Sequence, residues 1–235
     1  MAVDPMPTPD RTGPYQLIIG DKAYSSWSLR PWLLMRQAGV PFTEVPIRLR
    51  KNETKAEILK LSPSGYVPAL RWGRELITDS LAICETIAEL FPEKLLWPTD
   101  PLARAYARSA VAEMHAGFQD LRRDMPMDFL TLHPGDGHSE GALGNARRIV
   151  SLWMHLRRRF GAPSARDQGF LFGHFTVADA MYAPVVSRFT TYAVDLAALG
   201  DDGSAKAYTE TIWALPAMAD WREGAKMEME ARKAG

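Results

Sequence analysis

The stretch Leu61-Ser62-Pro63-Ser64-Gly65-Tyr66-Val67-Pro68-Ala69-Leu70 sets a proline at the head of an otherwise good strand. Proline removes a ladder donor, so strands accept it at their first residue or on an edge. Two runs of strand composition follow, Ala69 to Trp72 and Glu75 to Thr78, joined by Gly73-Arg74. A two-residue link led by glycine predicts a type II′ hairpin. A cis Val67-Pro68 bond would cost only about 0.5–1 kcal/mol over trans. It would turn the Val67 N–H and C=O outward, free to pair with an extended peptide as an added strand. A trans proline that only ends a loop is the plainer reading.

Upstream, Tyr15 to Ile19 reads as a short buried strand. Leu29, Trp32, Leu33 and Arg36 have helical spacing and stop at Gly39, a C-terminal cap. Phe42 to Ile47 is a second strand and Lys55 to Leu61 a short helix. Downstream of the hairpin, Leu81, Cys84, Ile87, Ala88 and Phe91 form another helical stripe. The order β-α-β-α-β-β-α predicts a small α/β domain over residues 14–91. Phe91 to Pro101 then holds three prolines in eleven residues, which neither a helix nor a central strand accommodates, so residues 92–101 read as a linker. Beyond it the stripes are all helical: Leu102 to Leu121 as one long run, Arg147 to Phe160, Val177 to Phe189, Tyr208 to Ala214 and Pro216 to Glu230, with a Gly-rich connection from Gly135 to Gly144. The fold class expected is α/β plus all-α, with 102–235 helical. Residues 1–13 carry three prolines and no apolar core and read as a disordered tail rather than a targeting segment.

Charge and composition narrow the function. The 28 basic and 28 acidic residues are spread evenly, with 11 basic and 9 acidic from Pro14 to Leu96. Neither half has a field that gathers polyanions, so nucleic acid is not an expected partner. The longest uncharged stretch, Gln168 to Ala178, is eleven residues, short of the ~18 that a membrane-spanning helix needs. The single cysteine, Cys84, makes no intramolecular disulfide and suits a reducing cytoplasm. It lies on an apolar stripe, as a small buried hydrophobe does. The five histidines, 115, 133, 138, 155 and 174, show no metal-ligand spacing, so no metal is expected.

Two further segments carry chemistry. Tyr24-Ser25-Ser26-Trp27-Ser28-Leu29-Arg30-Pro31 lies between the first strand and first helix, where unpaired N–H groups and the helix dipole favour negative charge. A serine hydroxyl here can donate to an anion, or simply cap the helix. Thr78-Asp79-Ser80-Leu81-Ala82-Ile83 opens the next helix with an acid beside a hydroxyl. That pair can hold an amino-acid zwitterion, Asp79 taking the ammonium and Ser80 the carboxylate. The bland alternative is again a cap.

In chain order and spacing, the three segments resemble the cytosolic glutathione transferase superfamily, and Tyr24 to Pro31 resembles its bacterial, serine-type, zeta-like pattern. A fourth similarity is Phe175-Thr176-Val177-Ala178-Asp179, a capping box with an acid in third position. The resemblance covers the chain from Gln16 onward. It implies a thioredoxin-like N-terminal domain with a cis proline, and a helical C-terminal domain contributing the electrophile site. It also implies a cytoplasmic, homodimeric detoxification enzyme that uses glutathione as co-substrate. By position, Ser25 matches the catalytic serine that donates to the glutathione sulfur, with Ser26 in reserve. Only the thiolate is a good nucleophile, and a free thiol with a pKa near 8.5 is mostly protonated at neutral pH.

Tyr66, Val67 and Pro68 match the glutathione site, Val67 pairing with the cysteinyl backbone, and Asp79 and Ser80 match the γ-glutamyl end. Asp179 matches a structural acid. Tyr106, Met114, His115 and Phe118 lie on the helix that lines the electrophile pocket in the superfamily. There are departures: Tyr66 stands where Lys or Gln is common, Asp79 where Glu or Gln is, and Trp27 where the zeta-like pattern has cysteine. Arg48, Arg50, Lys51 and Lys55 are unranked candidates for the glycyl carboxylate. The resemblance leaves two alternatives, a glutathione-dependent isomerase of the maleylacetoacetate type and a non-catalytic binding protein on the same fold.

Overall fold

The structure, a computed structural model, describes residues 13–234; the expected tail lies outside these residues apart from Gly13. Strands β1 (Tyr15–Gly20), β2 (Thr43–Ile47), β3 (Ala69–Trp72) and β4 (Glu75–Thr78) make one mixed sheet in the order β2-β1-β3-β4. Helix α1 (Ser26–Ala38) is the crossover between the parallel pair β1 and β2, while β3 runs antiparallel to β1 and β4. Leu17 opposes Leu70 and Ile18 opposes Ala69. Because successive strand side chains alternate in direction, Leu17 and Leu70 pack toward α1 and α3 (Ser80–Leu90). Ile18 and Ala69 pack with Ile47 and Ile58 of α2 (Thr54–Leu61).

The local stops follow from backbone chemistry. Gly39 takes φ +67° and donates to the Arg36 carbonyl, closing α1. In the hairpin Gly73 takes φ +59° while Arg74 stays outside the left-handed region, the pattern of a II′ rather than a I′ turn.

Six more α-helices follow among the described residues: α4 (Pro101–Ala116), α5 (Gln119–Asp124), α6 (Glu140–Leu156), α7 (Val177–Thr191), α8 (Ser204–Trp213) and α9 (Pro216–Ala234). A π-helical turn, Arg157–Gly161, continues α6. Two expectations need correction. The stripe from Leu102 to Leu121 is two helices, because the backbone leaves the helix at Gly117, which is extended, and Phe118 turns left-handed at φ +59°. The Gly-rich connection is shorter than its composition suggests: Ser139 caps α6 through the Ala142 N–H, leaving Gly141 and Gly144 inside the helix.

Helix α7 is buried over almost its whole length and packs against both α1 and α4. One apolar cluster therefore runs from Leu17 and Ile19 through Leu33 to Trp153, Tyr182 and Trp221. At the start of α7 the buried Asp179 carboxylate accepts from the Thr176 N–H (2.8 Å), the Thr176 hydroxyl (3.0 Å) and the Leu171 N–H (3.1 Å). Helix α9 returns along its length to the turn after β1. Trp221 Nε1 donates to the Lys22 carbonyl (2.9 Å), Glu228 accepts from the Lys22 N–H (2.8 Å), and Arg232 pairs with Asp21. Lys22 also pairs with Glu44 of β2.

Candidate functional site

A cavity of about 280 Å³ lies where the two halves meet, lined by Trp27, Tyr66, Val67, Pro68, Asp79, Ser80 and His115. Five of the seven come from the two segments flanking the hairpin, one from the start of α1 and one from the last turn of α4. A larger hollow, about 470 Å³, lies among Phe189, Val194, Leu196 and Lys206, away from all the residues named from sequence. Location rather than size marks the smaller one.

Each wall has a local cause. The Val67–Pro68 peptide is cis and stands immediately before β3. Asp79 caps α3 from a left-handed conformation, φ +79°; its Oδ1 accepts from the Leu81 N–H (2.8 Å) and the Ala82 N–H (3.2 Å). A left-handed non-glycine residue costs of order 1–3 kcal/mol and persists where its surroundings hold it. Here Asp79 Oδ2 also lies 3.2 Å from His115 Nε2, so the acid ties α3 to α4. The Ser80 hydroxyl is buried without a hydrogen-bond partner among the described residues, at a helix start with the polarity to hold a carboxylate.

The two serines divide. Ser25 is the N-cap of α1: its Oγ accepts from the Ser28 N–H (3.3 Å) and donates to Ser28 Oγ (2.7 Å), which in turn accepts from the Gly20 N–H (3.0 Å). Its proton is thus committed inside the protein. Ser26 is nearly buried, and its hydroxyl has no hydrogen-bond partner among the described residues. Neither serine is part of the cavity lining. Tyr66 is 71% exposed at the rim. Lys55 lies 4.5 Å over its ring and donates to the Gly65 carbonyl (3.0 Å), while Arg50 instead stacks on Tyr24.

Of the four residues expected to hold an electrophile, only His115 reaches the cavity. Met114 and Phe118 are buried in the core, and Tyr106 lies farther up α4, stacked on His155 and accepting from Arg159. On a helix the side chains of residues 106, 114 and 115 point to different faces, which periodicity alone did not separate.

What the sequence reading missed surrounds Trp27. Its indole meets the His115 ring edge to face at 5.4 Å, and carries the Arg30 guanidinium at 3.9 Å and that of Arg122 at 4.5 Å. Arg122 donates to the Met114, His115 and Gly117 carbonyls, satisfying the end of α4 and fixing His115. The three-residue spacing of Trp27 and Arg30 on one helix was the available signal. Cys84 is buried, and burial pushes its thiol far above the ordinary value. Among the described residues no group of three or more His, Cys, Asp or Glu could hold a metal, and no helix is long and apolar enough to cross a membrane.

Comparison with known proteins fits this arrangement. Residues 24–90 match the glutathione S-transferase N-terminal domain and residues 106–226 the glutathione S-transferase C-terminal domain. A zeta-class glutathione S-transferase of Euphorbia esula is 30% identical over 159 residues, 67% of this chain and 66% of that protein. A maleylacetoacetate isomerase of Pseudomonas aeruginosa is 27% identical over 180 residues, 74% of this chain and 81% of that one. Poplar glutathione transferase F1 superposes with a TM-score of 0.68 at 22% identity, over 91% of this chain and 98% of its own. A Burkholderia glutathione transferase homologue with bound glutathione superposes at 0.65 and 20% identity, over 91% and 98%. With a mixed four-stranded domain joined to a helical one, and both halves matched by the corresponding domains, the chain belongs to the glutathione S-transferase family.

Proposed function

We propose that the chain is a glutathione transferase that binds the tripeptide in this cavity and presents its sulfur as thiolate to an electrophile entering beside Trp27 and His115. The observation that supports it most is the meeting of Val67–Pro68 with the unpaired Ser80 hydroxyl and the Asp79 carboxylate in one cavity. The cysteinyl backbone pairs with Val67 as an added strand. The γ-glutamyl carboxylate takes Ser80 and the α3 N-terminus, and its ammonium faces Asp79. Lys55, beside Tyr66, is the cation best placed for the glycyl carboxylate. At the start of α1 the Ser26 hydroxyl, free of other partners, donates to sulfur, while Ser25 holds the turn. Catalysis is then thiol activation plus proximity.

The test is glutathione calorimetry with conjugation of a generic aryl halide, on wild type, Ser25→Ala and Ser26→Ala. Binding with turnover that collapses in one serine variant supports the transferase reading and names the donor. Absence of binding replaces it with a non-catalytic binding protein. A second reading, a glutathione-dependent isomerase of the maleylacetoacetate type, draws on relatives of that name; cis-to-trans turnover of a maleyl substrate without net glutathione loss would support it. A homodimer is expected, and a monomer mass by size exclusion would remove that expectation.

A further inference from the structure

Arg30 has no exposed surface, and none of its three guanidinium nitrogens has a hydrogen-bond partner among the described residues. Buried polar groups are almost always paired, and a buried, unpaired charge is among the costliest features a fold can carry. The surroundings do not relieve it. From α5, Arg122 adds a second positive charge, and from α7, Arg188 a third, though Arg188 is satisfied by the Met125 and Pro184 carbonyls. From α3, the neighbours are the Cys84 thiol and Asp79, whose carboxylate is occupied by the α3 N–H groups and His115. Burial and the Arg122 charge together push the Arg30 guanidinium well below its ordinary pKa. The one face of Arg30 that leads to a ligand is the Trp27 ring, 3.9 Å away, whose indole is a wall of the cavity.

We propose that Arg30 is the positioning charge that holds bound glutathione as thiolate, its field acting through the Trp27 indole; the inference rests on the function proposed above. In the free protein the guanidinium lacks a counter-ion. When glutathione binds, the S–H bond breaks, the proton passes to bulk water, and the thiolate supplies the missing negative charge while Arg30 stays protonated. By linkage, whatever the thiolate gains from the guanidinium appears as a lowered thiol pKa. This fits the Ser25 geometry, in which the hydroxyl expected to favour the thiolate is turned to Ser28. It also sets the residue apart from a structural arginine, because removing an unrequited buried charge is expected to stabilise the fold while impairing the chemistry.

The experiment titrates the thiol of bound glutathione by its ultraviolet thiolate absorbance and measures melting, in wild type, Arg30→Met and Arg30→Lys. In Arg30→Met the thiol pKa is expected to rise by about one unit, tenfold less thiolate at low pH. Calorimetric affinity for glutathione should change only a few-fold, aryl-halide turnover should recover at high pH, and melting should occur at or above the wild-type temperature. Arg30→Lys, which keeps the charge, should stay near the wild-type thiol pKa, and it serves as the comparison if the Met variant does not fold. An unchanged thiol pKa in Arg30→Met overturns the proposal, whether melting falls, which would make Arg30 structural, or only the KM of a carboxylate-bearing electrophile rises. A wild type that binds no glutathione removes the function and this inference together, whereas matching thiol pKa values in two glutathione-binding proteins remove the inference alone.

Discussion

Three serines within four residues carry different duties, and the division is set by where each hydroxyl proton goes. Ser25 spends its proton on Ser28, which itself receives the Gly20 N–H, so the pair joins β1 to the start of α1. Ser25→Ala should therefore cost about 1 kcal/mol of stability, the usual worth of a serine cap, and leave turnover largely intact. Ser26→Ala should leave melting within about 0.5 kcal/mol of wild type, because its hydroxyl gives up no hydrogen bond within the described residues, and raise the thiol pKa of bound glutathione. Melting and thiolate titration of the two variants check both statements, and the reverse pattern would return the role to Ser25. Residue types mark this helix start as a candidate anion site. Which serine is free depends on rotamers and on Gly20, eight residues from Ser28, and no local pattern encodes that. Asp79 shows the same limit: the sequence marked it as a cap or an ammonium partner, yet its contact with His115 depends on how α4 packs on α3.

Among the elements, α7 shows what a single acid does when the helix it starts is buried. Asp179 receives three donors from Leu171 and Thr176. Its replacement by Ala removes a cap and leaves two buried N–H groups unpaired, together about 2–4 kcal/mol. Asp179→Ala is expected to melt well below wild type while its folded fraction retains turnover; unchanged melting with lost turnover would assign the acid to chemistry instead. Burial is also the main reason that the Asp179 pKa is pushed up to about 6, against 3.8 for an ordinary aspartate. The native state thus holds this proton more tightly than the unfolded chain. The stability it contributes is full below about pH 4 and is lost as pH rises through about 6. The melting advantage of wild type over Asp179→Asn should accordingly shrink between pH 4 and pH 7. The helices and strands themselves were readable because period and punctuation agree, as at Gly39 and at Gly73-Arg74. The break between α4 and α5 was not, because the apolar stripe continues across it while the backbone turns extended at Gly117 and left-handed at Phe118.

Across the whole molecule, the turn that presents the serines is held by the far end of the chain. The Asp21 carbonyl accepts from the Tyr24 and Ser25 N–H groups, and the Asp21 carboxylate accepts from the Leu49 N–H (2.6 Å) and pairs with Arg232. Asp21 is 5% exposed and Arg232 20%, so removing the arginine leaves a nearly buried carboxylate unpaired. Arg232→Met should cost about 2 kcal/mol, less than the 3–5 of a fully enclosed pair because the arginine is partly wet. Amide exchange at Tyr24, Ser25 and Ser26 should accelerate with it, and unaltered melting and exchange would show that α9 does not hold the turn. None of this was legible, since 206 positions separate Lys22 from Glu228 and charges that far apart carry no pairing signal. The consequence is temporal. Closing so long a loop is entropically slow, and during synthesis the N-terminal half emerges first, with Trp32, Lys22 and Asp21 still waiting for α9. The nascent N-terminal half can form its sheet on the ribosome, but the serine turn reaches its final shape only after α9 has emerged and docked. The final geometry of this turn is then a late event, and a useful clock for when α9 has docked.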